Sequence, residues 1–128
     1  MEITVQENLP FLNEITIHYG VQSATINNGL IDCGSAGTAA ETDLLIDIGI
    51  LEDDPRDQWL SLRGIGGVER VRQKVVDITV GNITIYDFPL QVGALGYGYD
   101  INGIIGFDLL VATKALIDYG NLVVTFSE

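Results

Sequence analysis

Along much of this 128-residue chain, apolar and polar residues alternate with a period of two. ITV, EITIHYGV, ATI, GLID, QWLSLRGI, VRQKVVDITV, ITIYDFPLQV and NLVVTF each set Ile, Val, Thr or aromatic residues against polar ones. That spacing predicts half-buried strands, because successive side chains on a strand face opposite ways. Turn formers separate the segments at close intervals, in YG, NNG, GIGG, VGN, YGYDING and DYGN. Many short strands with frequent turns predict a closed or folded-over β architecture. Two stretches carry helical spacing instead. ETDLLIDIG puts Leu44, Leu45 and Ile48 on one face with Gly49 as a stop, and Thr38 with Glu41, or Thr42, can cap its start. FDLLVATKA reads as a second short helix after Gly106.

Length predicts one domain over residues 1–128, large enough to bury about two-thirds of its unfolded surface without a staple of disulfides or metal. A single cysteine excludes an internal disulfide and suits a reducing compartment. Eighteen acidic against six basic residues give a net charge of −12, which disfavours nucleic acid and anionic membrane surfaces as partners. The start, MEITVQENLP, lacks the charged and apolar regions of a signal peptide, and no apolar run approaches the ~20 residues of a membrane span. A cytoplasmic protein is expected. The acidic run LEDDPRD, residues 51–57, reads as a solvated loop, and no His/Cys cluster or EF-hand spacing calls for a metal or other cofactor.

The chemistry concentrates in LIDCG. An apolar strand ends at Asp32, and Gly34 permits a tight turn that directs the carboxylate off the strand end. A lone carboxylate in partly apolar surroundings is costly unless something shares its proton. A second carboxylate across a symmetry axis is one solution: the pair holds one proton, so one member serves as base to a water while the other donates to a carbonyl. The plainer reading of Asp32 is a turn aspartate that caps its own loop. Later segments favour the first reading. LRGIGGVERV, residues 62–71, is a glycine-tipped hairpin, and NGIIGFDLL, residues 102–110, sets Ile104, Ile105 and Gly106 just before a helix.

This order of Asp-x-Gly with a following helix, glycine-rich hairpin, apolar-apolar-Gly with a helix and final strand resembles the retropepsin-like aspartic proteases, from about residue 11 to 126. The resemblance implies a mostly β, acid-protease-like closed barrel with one or two short helices and one lobe per chain, working as a C2 homodimer. It implies that Asp32 is the catalytic aspartate, with Cys33, Gly34 and Ser35 in the active-site loop. Gly64, Ile65, Gly66 and Gly67 would form the flap over a bound peptide, and Ile104, Ile105 and Gly106 would support the loop. Terminal strands such as EITVQ and NLVVTF would join the subunits, and Leu30, Ile65 and Ile104 would favour apolar substrate side chains. The activity implied is that of an aspartic endopeptidase, its partners itself and a peptide or protein substrate.

Cys33 departs from the family pattern, which has Thr or Ser between the aspartate and the glycine. In the family that hydroxyl bonds across the dimer axis, and a thiol is a weak donor on a larger, softer atom. A catalytically weak or inactive module for dimerisation or extended-peptide binding is therefore the alternative. A cysteine nucleophile would need an activating base, and the only histidine, His18, lies in the plain strand ITIHYG. GYGYDING superficially resembles a dinucleotide fingerprint but lacks its strand-to-helix setting and glycine spacing, and GSAGT lacks the Lys of a phosphate loop. Asn82-Ile83-Thr84 fits a glycosylation acceptor, but without a secretory signal a turn leading into a strand is the better reading.

Overall fold

A computed structural model describes residues 1–64, 67–95 and 100–128, with backbone alone at 62–64 and 67–69. The alternating segments form strands β3 (Ile15–Tyr19), β4 (Gln22–Ile26), β5 (Gly29–Ile31), β7 (Gln58–Gly64), β8 (Gly67–Val80), β9 (Ile83–Gly93) and β12 (Val123–Thr125). The first adds β1 (Thr4–Gln6). Four more strands escape the period-two reading: β2 (Leu9–Leu12), β6 (Ala39–Glu41), β10 (Gly103–Ile105) and β11 (Leu116–Asp118). The helical stretches become α1 (Thr42–Leu45), continued by a 3-10 turn (Ile46–Ile48), and α2 (Phe107–Ala112). Gly49, at φ 77°, ends the first in the left-handed region that suits glycine. Neither expected threonine cap forms: Glu41 is the N-cap residue, without a side-chain bond.

One large sheet runs β1-β2-β5-β10-β6-β9-β8-β3-β4, with β7 added on β8, while β11 and β12 pair separately. The expected closed barrel does not form, because the outermost strands β1 and β4 do not pair with each other. The first of these is three exposed residues, and α1 with its 3-10 turn packs against the second. The chain ends meet within the chain. Ile3 N–H donates to Leu122 O at 2.8 Å and Val124 N–H to Met1 O at 2.9 Å.

Core residues follow the strand period. Ile15 and Ile17 on β3, and Val76, Ile78 and Val80 on β8, are buried. On β9 the buried positions change parity, from Ile83 to Phe88, Leu90 and Val92. The register accounts for the change: Val76 pairs with Phe88 and Ile78 with Ile85, so the ninth strand carries one extra residue. Asp87 takes that strain at φ 53°, its N–H donating to Asp77 Oδ1 at 3.0 Å. Such a bulge turns the strand over while keeping its apolar side inward.

Two positions before Val76, on the same face, stands Lys74, fully buried. Its ammonium donates to Asp57 Oδ2 at 2.6 Å and Glu52 O at 2.8 Å. Arg72 donates to Asp57, Asp53 and Leu51 O at 2.9, 2.5 and 2.8 Å. The acidic run is thus not a freely solvated loop: it neutralises two bases that its neighbouring strand turns inward. Burying charge is costly unless it is paired and hydrogen-bonded, and only this loop supplies acids at that place. Asp54 joins the cluster by accepting from the Tyr19 hydroxyl at 3.1 Å and from the backbone and side chain of Arg56. No helix among the described residues is long and apolar enough to cross a membrane.

Hydrogen bonds from the Arg56 backbone, then from its side chain, bring the Asp54 carboxyl down to about 2. Burial pushes Asp57 up, but bonds from Lys74, the Asp54 N–H and Arg72 outweigh it, and the net shift is downward. Folded-state values below the unfolded ones give stability that is complete above the ordinary carboxylate range and lost as pH falls towards about 2. The urea midpoint should therefore drop between about pH 4 and pH 2, and less in Asp54→Asn than in the parent. Lys74→Ala, which takes from half-buried Asp57 one of its two cationic partners and leaves a cavity where a fully buried side chain stood, should cost about 2–5 kcal/mol at neutral pH.

Candidate functional site

Asp32 owes its position to the way the strands interleave. The chain leaves β5 at Ile31, passes through residues 32–38 and enters β6, yet these two strands are not neighbours. Between them lies β10, parallel to the fifth strand through Ile104↔Leu30 and Ile105↔Ile31 and antiparallel to the sixth through Ile104↔Ala39. Residues 32–38 must therefore arch over the end of the inserted strand. Asp32 N–H donates to Ile105 O at 3.0 Å, which extends the ladder by one residue and holds the aspartate at the start of the arch.

Gly106 fills the space under the arch. A Cβ there would overlap the Gly37 carbonyl and lie 3.0 Å from Ser35 O, so a larger residue forces the backbone apart. Three bonds close the arch on this exit: Gly106 N–H to Thr38 Oγ1 at 3.0 Å, Phe107 N–H to Ser35 O at 2.7 Å, and Thr38 Oγ1–H to Asp108 Oδ1 at 2.7 Å. Thr38 is fully buried. Within the arch, Ser35 Oγ donates to Gly37 O at 2.9 Å.

At the foot of the arch Asp32 is half-buried and its Oδ1 accepts the Gly34 N–H at 3.1 Å. That bond is the signature of a turn aspartate, and it leaves Oδ2 without a partner among the described residues. Cys33 is exposed, and its thiol faces a groove of about 250 Å³ between α2 and β11, lined mainly by Phe107, Leu110, Val111 and Ile117. Of the lining residues, Phe107 and Val111 each expose 56 % of their surface, and Tyr119, near Cys33, exposes 54 %. Burial, and then the neighbouring Cys33, push the Tyr119 hydroxyl up.

The structure thus brings together Asp32, Cys33, Gly34, Ser35, Ile104, Ile105 and Gly106. Gly64 and Gly67 pair across the ends of β7 and β8, while Ile65 and Gly66 lie outside the described residues, as do residues 96–99 of GYGYDING. His18 does not join the cysteine: its Nε2 bonds Thr79 Oγ1 at 3.0 Å on β3. Among the described residues no three His, Cys, Asp or Glu side chains gather as metal ligands. Sequence reasoning missed Asp108, whose only signal was an acid two residues after a glycine at a helix start, and it gave Thr38 to the wrong helix. The face of α2 and β11 was equally hidden, because its members are spread over residues 107–119. Compared with known proteins, the chain matches no family model and no curated sequence.

Thr38→Val leaves the buried Gly106 N–H without an acceptor, which should cost about 1–3 kcal/mol, and takes from Asp108 Oδ1 one of its two donors, the Leu109 N–H remaining. Gly106→Ala should cost more than Thr38→Val, since its methyl group meets main chain that cannot turn aside. Urea unfolding at neutral pH checks both, and equal or negligible losses would contradict the arch as described.

Proposed function

We propose that this chain is half of an aspartic endopeptidase, completed by a second copy of itself. The observation that carries the reading is Asp32, held at the start of a braced arch next to Cys33, which lines a mainly apolar groove. One carboxylate cannot both activate a water and donate a proton, so a twofold partner must bring the second Asp32. Because the chain ends already pair with each other, the contact falls on the face of Cys33, Phe107 and Val111 rather than on exchanged terminal strands.

In the completed site the unprotonated carboxylate takes a proton from a water as its oxygen attacks the peptide carbonyl carbon. The protonated one donates to the carbonyl oxygen, and a gem-diol forms without net charge change in the pair. The carboxylate that took the water's proton then passes it to the departing nitrogen as the C–N bond breaks, while its partner takes a proton from a gem-diol hydroxyl as the C=O bond re-forms, so the pair again holds one proton. Strands β7 and β8 form the arm that holds an extended substrate by main-chain hydrogen bonds.

Cys33 favours a second reading, a dimerising or peptide-binding module of little activity. Its thiol has no hydrogen-bond partner among the described residues, where a hydroxyl would offer a stronger bond across the axis. Digestion of a denatured protein mixture from acidic to neutral pH separates the two. The parent should cut and Asp32→Asn should not, with a loss of at least about 10³-fold. Equal cutting by both, or none by the parent while dimer and peptide binding persist, overturns the enzyme. Cys33→Thr should raise activity or dimer affinity, and no change in either would refute this account of the thiol.

A further inference from the structure

The cluster under β8 holds two buried polar atoms that find no partner among the described residues, Asp57 Oδ1 and Arg72 Nε. They are an acceptor and a donor, and they belong to residues already joined through Oδ2 and Nη2 at 2.9 Å. In a guanidinium, Nε–H and one Nη2–H point the same way, at the spacing of two carboxylate oxygens. A small rotation of the Asp57 carboxylate about its stem therefore converts the single-point pair into a side-on fork and satisfies both orphans. The other Nη2–H stays on Asp53. What opposes the rotation is Lys74, which draws Oδ2 to 2.6 Å and takes Glu52 O as well, together with the Asp54 N–H, which donates to the same Oδ2 at 3.1 Å.

We infer that Asp57 and Arg72 form a two-state latch at the root of the β7–β8 hairpin, alternating between a Lys74-directed state and an Arg72 fork. The placement gives the latch leverage. Arg72 is the last residue of β8 paired with β9, through Val92, and from Val71 to Gly67 the strand pairs only with β7. Both groups are largely buried, Arg72 at 15 % and Asp57 at 11 % side-chain exposure, so water does not satisfy the orphans freely. Shifting Arg72 against the loop at 51–57 moves the strand where it leaves the sheet. Asp57 and Arg72 are positioning residues for that arm. The latch stands on the cluster alone, and only its effect on substrate rests on the peptidase reading.

The protein carries its own reporter. Trp59, the only tryptophan, lies 5.6 Å beneath the Arg72 guanidinium and 4.8 Å from that of Arg70. Fluorine NMR of the full chain labelled with 5-fluorotryptophan should show two resonances, or relaxation dispersion on the microsecond-to-millisecond scale. Arg72→Lys, which cannot fork, should remove the exchange, and Asp57→Asn, which puts an amide donor against Nε–H, should do the same. Arg70→Lys should retain it, since Arg70 touches the ring but not the latch. A single sharp line without dispersion in the parent overturns the latch, as does exchange that survives Arg72→Lys or Asp57→Asn, or that vanishes in Arg70→Lys. If the parent hydrolyses peptides, Arg72→Lys should change KM with kcat nearly kept. Exchange without hydrolysis would overturn the peptidase reading and leave the latch standing.

Discussion

Everything at the candidate site depends on a strand passing beneath a loop. β10 runs between two strands that the chain joins directly, so residues 32–38 have to bridge it, and the only residue that fits under the bridge is Gly106. Close packing makes this unforgiving: main chain on main chain has no rotamer to change. The same crossing hands the arch its hydrogen bonds, since both the N–H of Gly106 and the N–H of Phe107 emerge facing it. Asp32 starts the arch because its N–H extends the backbone ladder to Ile105 O, so its place is fixed by main chain and not by a neighbouring side chain.

A second constraint acts on the other side of the sheet. The face of β8 that buries Val76, Ile78 and Val80 continues into Lys74 and Arg72, where an apolar pair would stabilise more. The charges recruit the loop at 51–57 and fix where β7 begins, so they set geometry at some cost in stability. An acidic chain with six bases places five of them between residues 56 and 74. That concentration makes sense if the hairpin's pose matters to what the protein does.

The strands with clean alternation, and both helices, were legible because burial on one face writes itself into the sequence. β2, β6, β10 and β11 were not: the sixth and tenth strands read as continuous small or apolar residues, and the second and eleventh lie beside turn formers with no clean alternation of their own. The closure of the sheet was not legible at all, since edge pairing depends on distant strands. Asp32, Gly34, Ile104, Ile105 and Gly106 could be drawn together from motif order alone. Thr38–Asp108, seventy residues apart in sequence, could not, because each looks like an ordinary cap. LEDDPRD misled for a related reason: its acids look solvated until the bases opposite are known to point inward.

The central claim is that one chain supplies half a site. A crystal structure of the protein at high concentration tests it directly. The account predicts a twofold dimer through the face of α2 and β11, with the two Asp32 carboxylates facing each other at about 3 Å. A monomer, or a dimer that leaves Asp32 turned away from its symmetry mate, would contradict it.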